Sequence, residues 1–297
     1  MPVKRIKLYT LLGGYPNTVA LKSGAVKSDL IDFEFADAKV SNTAFKPLVR
    51  EAKFDLGELA IVTFLQAKAY GKPYVLVPAT VLGRGQHHTI VYNPQRGAIS
   101  ASDLPGKRVG VRAYTQTTGA WVRGFLGDDY GVDITKVQWV TFEDPHLAEY
   151  KDPDFVTRAP EGKNLTQMLL DGEIDAAIVG DKLPDARLSP LIADADAVAS
   201  SWAQTHGGIP INHMMVVRSE IAKSRPDLVQ EIYRVLRESR RQAIPPPNGS
   251  ALDPWRFGIE ANRRSLEIII DYSFHQKLIP RKLSIDELFD DCVYALT

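Results

Sequence analysis

The chain has 297 residues, enough for two compact units at ~100–200 residues per domain. Hydrophobic residues make up 44%, ample for buried cores, and 36 basic residues balance 36 acidic ones. That balance, without a long basic run, argues against nucleic acid or an anionic membrane as a partner. No run of ~18 apolar residues is present to span a bilayer. The opening "MPVKRIKLYTLLGGYPN" lacks the apolar core and cleavage site of an export signal, so a cytoplasmic protein is expected. The single cysteine, Cys292, excludes an internal disulfide and a thiolate metal cluster.

In chain order, "RIKLYTLL" (5–12) and "IDFEFADA" (31–38) read as strands, the second by its apolar–polar alternation. Segment 42–53 sets Phe45, Leu48, Val49 and Ala52 on one helical face. The β-branched run "YVLVPATVL" (74–82) has the character of a buried parallel strand, and "HTIVYNP" (88–94) that of a strand leaving its sheet. "RVGVRA" (108–113) is a strand, followed by a helix from Thr117 with that residue as N-cap. "VQWVTF" (137–142) is another strand. Segment 164–180 reads as a helix, a Gly172 stop and a strand.

Beyond "NHMMVVRSE" (212–220) the pattern becomes helical. A long amphipathic helix opens at Ser224 and Pro226, a proline-rich break falls at 244–249, and a second helix covers 258–279. Ser284 and Glu287 have capping-box spacing. The alternation predicts an α/β fold of two lobes, with mainly parallel sheets flanked by helices. Residues 1–88 and 211–297 are expected to form one lobe and 89–210 the other. Ligands would bind in the cleft between lobes, at the carboxyl ends of strands.

Several stretches spread along nearly the whole chain carry a family resemblance. They are "FDLGELA" (54–60), "GRGQHHTIVYN" (83–93), "SDLPGKRVGV" (102–111), "AYTQTTGAWVRGFLGDDYGV" (113–132), "GEIDAAI" (172–178), "GGIPINHMMVVR" (207–218) and "DELF" (286–289). In these the chain resembles the 4,5-dihydroxyphthalate decarboxylase family, which is similar in fold to type II periplasmic solute-binding proteins. The longest stretch, with Trp121, Arg123, Gly124 and Tyr130-Gly131-Val132, is the most specific. Where that family typically shows Arg-x-Phe-Arg-His, this chain has Arg84-Gly85-Gln86-His87-His88, so one arginine has become His87. The resemblance implies a cofactor-independent decarboxylase of a hydroxylated aromatic (di)carboxylic acid. The runner-up is a non-catalytic solute-binding protein for an aromatic or other organic anion, because a fold does not fix a function.

Cofactor-free decarboxylation of an aromatic ring needs a general acid, a partner for the ring hydroxyl and anchors for a retained carboxylate. An apolar pocket around the departing carboxylate favours loss of neutral CO2. Arg84 is the natural anchor, since its planar fork pairs bidentately with a carboxylate; the plainer reading is a surface arginine at a turn. His87 and His88, as neighbours in a strand, would face opposite ways, which argues against a metal pair. His88 matches the family's histidine and is favoured as proton donor, with His87 as a switchable carboxylate contact. Both could instead cap the strand.

Tyr114, Thr115, Gln116, Thr117 and Thr118 lie at a strand-to-helix turn, where helix-start N–H groups and hydroxyls can hold an anion. One threonine could be only an N-cap. Arg123, one turn further on, is a ligand contact or a structural ion pair. Glu58 could accept a phenol proton, orient a histidine, or merely face a helix dipole. Thr63 is a weaker candidate. His213 is a second cleft histidine or a core one, and Tyr15 in "GGYPNT" (13–18) could lie over a ring. No cofactor or metal ligand set is assigned, although a divalent metal is left open, and so is a homo-oligomer. The expected partner is a small aromatic carboxylate.

Overall fold

The computed structural model describes residues 4–38, 40–244, 253–294 and 296. Among the described residues the strands are β1 (Ile6–Leu11), β2 (Ile31–Phe35), β3 (Leu56–Ala60), β4 (Tyr74–Gly83), β5 (Ile90–Tyr92), β6 (Arg108–Val111), β7 (Gln138–Thr141), β8 (Val156–Arg158), β9 (Ala176–Ile178), β10 (Ser189–Pro190) and β11 (Ile211–Arg218). They form two mixed sheets flanked by helices. The chain divides into two units: Met1–Arg84 with Gly208–Ile270 and Ile279–Thr297, and Gly85–Gly207 with Asp271–Leu278. Residues 85–88 and 271–278 thus group with the second unit, whereas the sequence reading set them in the first lobe.

The first unit holds the sheet β2-β1-β3-β11-β4. Strand β1 pairs in parallel with β2 and β3, whereas β11 runs antiparallel between β3 and β4. The 74–82 run is therefore an antiparallel strand at the end of its sheet. Its near-continuous burial comes from cover on its faces, a demand that both strand directions satisfy. Strand β3 is buried at every position, so a polar side chain on it must find partners inside the protein. The helix Phe45–Glu51 buries Phe45, Leu48 and Val49 as the spacing predicts, and stops at Ala52, which takes a left-handed φ of 49°. Pro226 opens the helix Pro226–Ala243, which buries Leu228, Val229, Ile232, Val235 and Leu236 on one face. The proline-rich break expected at 244–249 lies, beyond Ile244, outside the described residues.

The second unit holds the sheet β10-β5-β9-β6-β7-β8. Strands β9, β6, β7 and β8 are parallel neighbours, and β5 and β10 add antiparallel edges. The helix Leu165–Asp171 starts at Asn164, whose side chain accepts from the Gln167 N–H at 3.2 Å, and ends at Gly172 with φ 76°. Its Met168, Leu169 and Leu170 pack with Val91, Val140 and Ala177 of the sheet. The helix Thr117–Asp128 follows β6, with Gln116 in the capping position where Thr117 was expected and no side-chain bond at the cap. His87 and His88 open a short 3-10 turn, His87–Thr89, before β5, not a strand. Among the described residues no helix is long and apolar enough to cross a membrane.

Candidate active site

In the first unit, Glu58 lies mid-strand on β3 with no exposed surface. The antiparallel register sets His213 opposite Ala60 and Met215 opposite Glu58. Glu58 and His213 are therefore diagonal neighbours on one face of the sheet. The His213 Nδ1 lies 2.9 Å from the Glu58 Oε2, and its ring meets Phe45 edge-on at 5.2 Å. The other carboxylate oxygen accepts the Gly13 N–H at 2.6 Å. Burial opposes the charged form of Glu58. Even so, the hydrogen bond and charge of His213, with bonds from Ser41 and Gly13, hold the carboxyl below its ordinary range. An ionised carboxylate only accepts, so Nδ1 carries the proton and Nε2 is left as the second ring nitrogen. His213 keeps 15% of its side chain exposed.

The 13–18 loop closes around this pair. A Cβ at Gly13 would lie 2.6 Å from the Tyr15 ring and 2.7 Å from the Glu58 Oε1, so only glycine lets the backbone come this close. The Thr18 hydroxyl donates to the Gly13 carbonyl at 2.7 Å and accepts the Tyr15 N–H at 2.9 Å. The Tyr15 hydroxyl sits 3.3 Å from the Ser41 Oγ. Burial first, and then the charge of Glu58, push the Tyr15 phenol well above its ordinary value, so it stays protonated. Arg84, half-buried just past β4, favours the phenolate in opposition, which sets its charge within reach of the same hydroxyl. Thr63 is buried in the helix Ile61–Ala69. Glu58, His213 and Tyr15 thus form one group in the first unit, with the charge of Arg84 bearing on the Tyr15 hydroxyl.

In the second unit, the turn after β6 carries Tyr114 to Thr118. Thr115, Thr117 and Thr118 are buried at the start of a 12-residue helix with no acidic residue in its first turn. The first N–H groups of such a helix have no partners within it and favour negative charge. Arg123 is fully buried and acts on the turn itself. It donates from Nη2 to the Tyr114 carbonyl at 2.6 Å and from Nε to the Gln276 Oε1 at 2.8 Å, and it lies 3.9 Å over the Tyr114 ring. Gln276 in turn donates to the Ala120 carbonyl at 2.8 Å. Arg123 thus braces the turn from inside, the structural one of its two expected roles.

The two neighbouring histidines are set apart by packing. The His87 ring is fully buried and stacks on Phe125 at 4.2 Å and 1°, with Trp202 beyond. Burial, with a smaller push from His88, lowers its pKa to about 4, so it is a neutral core ring near pH 7. The switchable carboxylate contact expected there is replaced by aromatic packing. His88 is 27% exposed and its Nε2 lies 3.3 Å from the Oδ1 of the exposed Asp181.

No protein-family model matches the chain. Two curated relatives do. The 4,5-dihydroxyphthalate decarboxylase of Comamonas testosteroni is 30% identical over 256 residues, covering 82% of this chain and 77% of its own length. That of Pseudomonas putida is 32% identical over 214 residues, covering 67% of this chain and 82% of its own. The chain belongs to the 4,5-dihydroxyphthalate decarboxylase family. Proteins of that name are carboxy-lyases.

Among solved structures, the alkanesulfonate-binding protein SsuA of Xanthomonas axonopodis pv. citri matches with TM-score 0.59 at 13% identity, covering 97% of this chain and 99% of that one. A ligand-binding component of an ABC-type import system from Staphylococcus aureus matches with TM-score 0.60 at 10% identity, covering 99% of each. The desulfurization enzyme DSZB matches with TM-score 0.52 at 15% identity, covering 96% and 97%. The fold of this dihydroxyphthalate decarboxylase family member is therefore that of periplasmic solute-binding proteins. Sequence reasoning passed over Ser41, Gly13 and Gln276 as site residues. Ser41 and Gln276 carry no motif of their own, and only the folded chain brings them to Glu58 and Arg123. Gly13 sat in a quoted loop, but its role lies in its backbone N–H.

Proposed function

We propose that this family member is a cofactor-independent carboxy-lyase acting on a hydroxylated aromatic (di)carboxylic acid, with His213 as the proton carrier and Glu58 orienting it. The observation that carries this reading is the contact of His213 with the buried Glu58 at 2.9 Å, which fixes the ring tautomer and aims the ring. A ring hydroxyl ortho or para to the carboxylate pushes electrons toward the carbon that bears it. That carbon takes the proton from the His213 Nε2. The C–C bond then breaks, its electron pair restores the aromatic ring, and CO2 departs. Water returns the proton to His213. Arg84 holds a retained carboxylate, Tyr15 offers its neutral hydroxyl, and the Thr115–Thr118 helix start is an anion-binding position of the second unit.

The names of the two relatives support the reaction class, and the solute-binding neighbours favour the second reading, a binding protein for an organic anion. The test is a panel of hydroxylated benzene- and pyridine-carboxylates mixed with metal-stripped protein, with CO2 release and binding measured together. Release that is lost in His213→Gln supports the lyase. Tight binding without release supports the receptor and sinks the proposed chemistry.

A further inference from the structure

The Glu58 carboxylate is bonded at both oxygens, and the two bonds come from different parts of the first unit. Oε2 meets the His213 Nδ1 at 2.9 Å, and Oε1 accepts the Gly13 N–H at 2.6 Å. The peptide that supplies this N–H has a partner at its other end. Its carbonyl, that of Leu12, accepts from the Lys22 Nζ at 2.5 Å. A trans peptide is one planar, resonance-coupled group whose C=O and N–H point opposite ways. A cation on the oxygen draws electrons across the group and makes the N–H a stronger donor. Leu12 and Glu58 are both buried, so little water screens the effect. The same loop holds Lys22 in place. Its backbone N–H donates to the Thr18 carbonyl at 3.0 Å, and the Thr18 hydroxyl donates to the Gly13 carbonyl at 2.7 Å. The side chain is half-buried, with Nζ 5.6 Å from the centre of the Phe35 ring.

We propose that Lys22 is a positioning residue that acts on Glu58 through the Leu12–Gly13 peptide: its ammonium strengthens the Gly13 N–H bond to Oε1, and so holds the carboxylate with its other oxygen aimed at His213. This rests on the reading of His213 as proton carrier, and it adds to that reading a charge set one peptide away from the carboxylate. The plainer role for Lys22 is to tie the end of the short helix Val19–Lys22 to the chain just past β1. The two roles differ in what they need. A tie needs a long side chain, whereas polarising the peptide needs a cation. A stronger donor on a carboxylate favours its charged form, which makes the difference readable in its titration. The titratable and charged groups that face Glu58 are His213 from β11 and Tyr15 from the first loop, with Arg84 bearing on the Tyr15 hydroxyl. Around Lys22 they are Arg5, Lys27 and Asp32, which line one cavity with it.

The experiment is a pH titration of the full chain labelled with 15N-histidine, with no ligand added, in which the His213 signals are assigned by their absence from His213→Gln. Their acid inflection reports protonation of Glu58. Lys22→Met keeps an unbranched apolar stem and removes the cation. The inflection is expected to rise by roughly half a pH unit in this variant, about threefold in the acid constant. Lys22→Arg, which keeps a cation in reach of the Leu12 carbonyl, is expected to restore the wild-type position. The acid limb of turnover moves with the inflection on whichever aromatic acid the chain consumes. An inflection unmoved in Lys22→Met overturns the proposal, even where turnover is lost, because that is the mark of a merely structural residue. An inflection moved equally in Lys22→Met and Lys22→Arg overturns it too, because the charge then makes no difference. If Lys22→Met does not fold, Lys22→Gln is read by the same criteria. If no aromatic acid is turned over while the inflection moves and is restored, the hold of Lys22 on Glu58 stands and the decarboxylase reading falls.

Discussion

His213 in the first unit and His87 in the second are both enclosed histidines, and they have opposite company. His213 gives one ring nitrogen to a buried carboxylate. His87 bonds neither ring nitrogen to any described residue and lies flat on Phe125. Enclosure is common to both, so burial alone does not say what a histidine does. The partner of the ring nitrogen separates them: a carboxylate fixes the tautomer of one ring, and an aromatic face encloses the other as a neutral filler. His88, beside His87 in sequence, has a third kind of surrounding, a half-open position with an exposed aspartate.

Replacing each histidine is the sharpest way to break this contrast. His213→Gln removes the proposed proton carrier, and turnover of an aromatic acid is expected to fall about 10²–10⁴-fold, with binding changed far less. Turnover that survives would dissolve the distinction between the two sites. Glu58→Gln keeps the shape and removes the counter-charge. A loss of about 10²-fold is expected, with kcat falling more than KM rises, in steady-state kinetics.

The third change concerns stability. His87 has a folded pKa of about 4 against an ordinary 6.5, so the unfolded chain takes the proton first as the pH falls. Its contribution is intact above about pH 6.5 and is lost progressively down to about pH 4, by about 3 kcal/mol in total. His87→Phe keeps a stacked ring and removes the titration. Urea unfolding of the variant should therefore lose less stability than wild type between pH 7 and pH 4. An equal loss in both would show that His87 is not held neutral. The smallest effect is expected for His88→Ala, with stability within about 0.5 kcal/mol and turnover within about fivefold, the scale of an exposed ion pair. A larger loss of turnover would return the proton-donor role to His88.

The sequence made the elements legible where a local rule decides them. The helix after Asn164 stops at Gly172, and Ser284 with Glu287 does form the reciprocal capping box. Local rules could not decide pairing direction. The run 74–82 is apolar enough for either direction, and its partner β11 comes from a distant part of the chain. The site was legible as residue types and illegible as a set. Glu58 and His213 stood out separately, but their contact follows from the β3–β11 register, which no short motif encodes. For the same reason the two adjacent histidines drew attention to themselves. Proximity in sequence is visible at once, whereas the stacking of His87 on Phe125 requires the helix Thr117–Asp128 to be in place.

Arg123 ties the order of assembly to the order of synthesis. Its Nε bonds to Gln276, which in turn bonds to the Ala120 carbonyl, and residues Asp271–Leu278 belong to the second unit. A chain emerging from the ribosome has produced every strand of that unit, and then β11 of the other, before Gln276 exists. Until then the guanidinium lacks one of its acceptors and holds the turn through Tyr114 alone. A nascent chain halted short of Gln276 is expected to leave the Tyr114–Thr118 turn open to protease long after its sheet has been made.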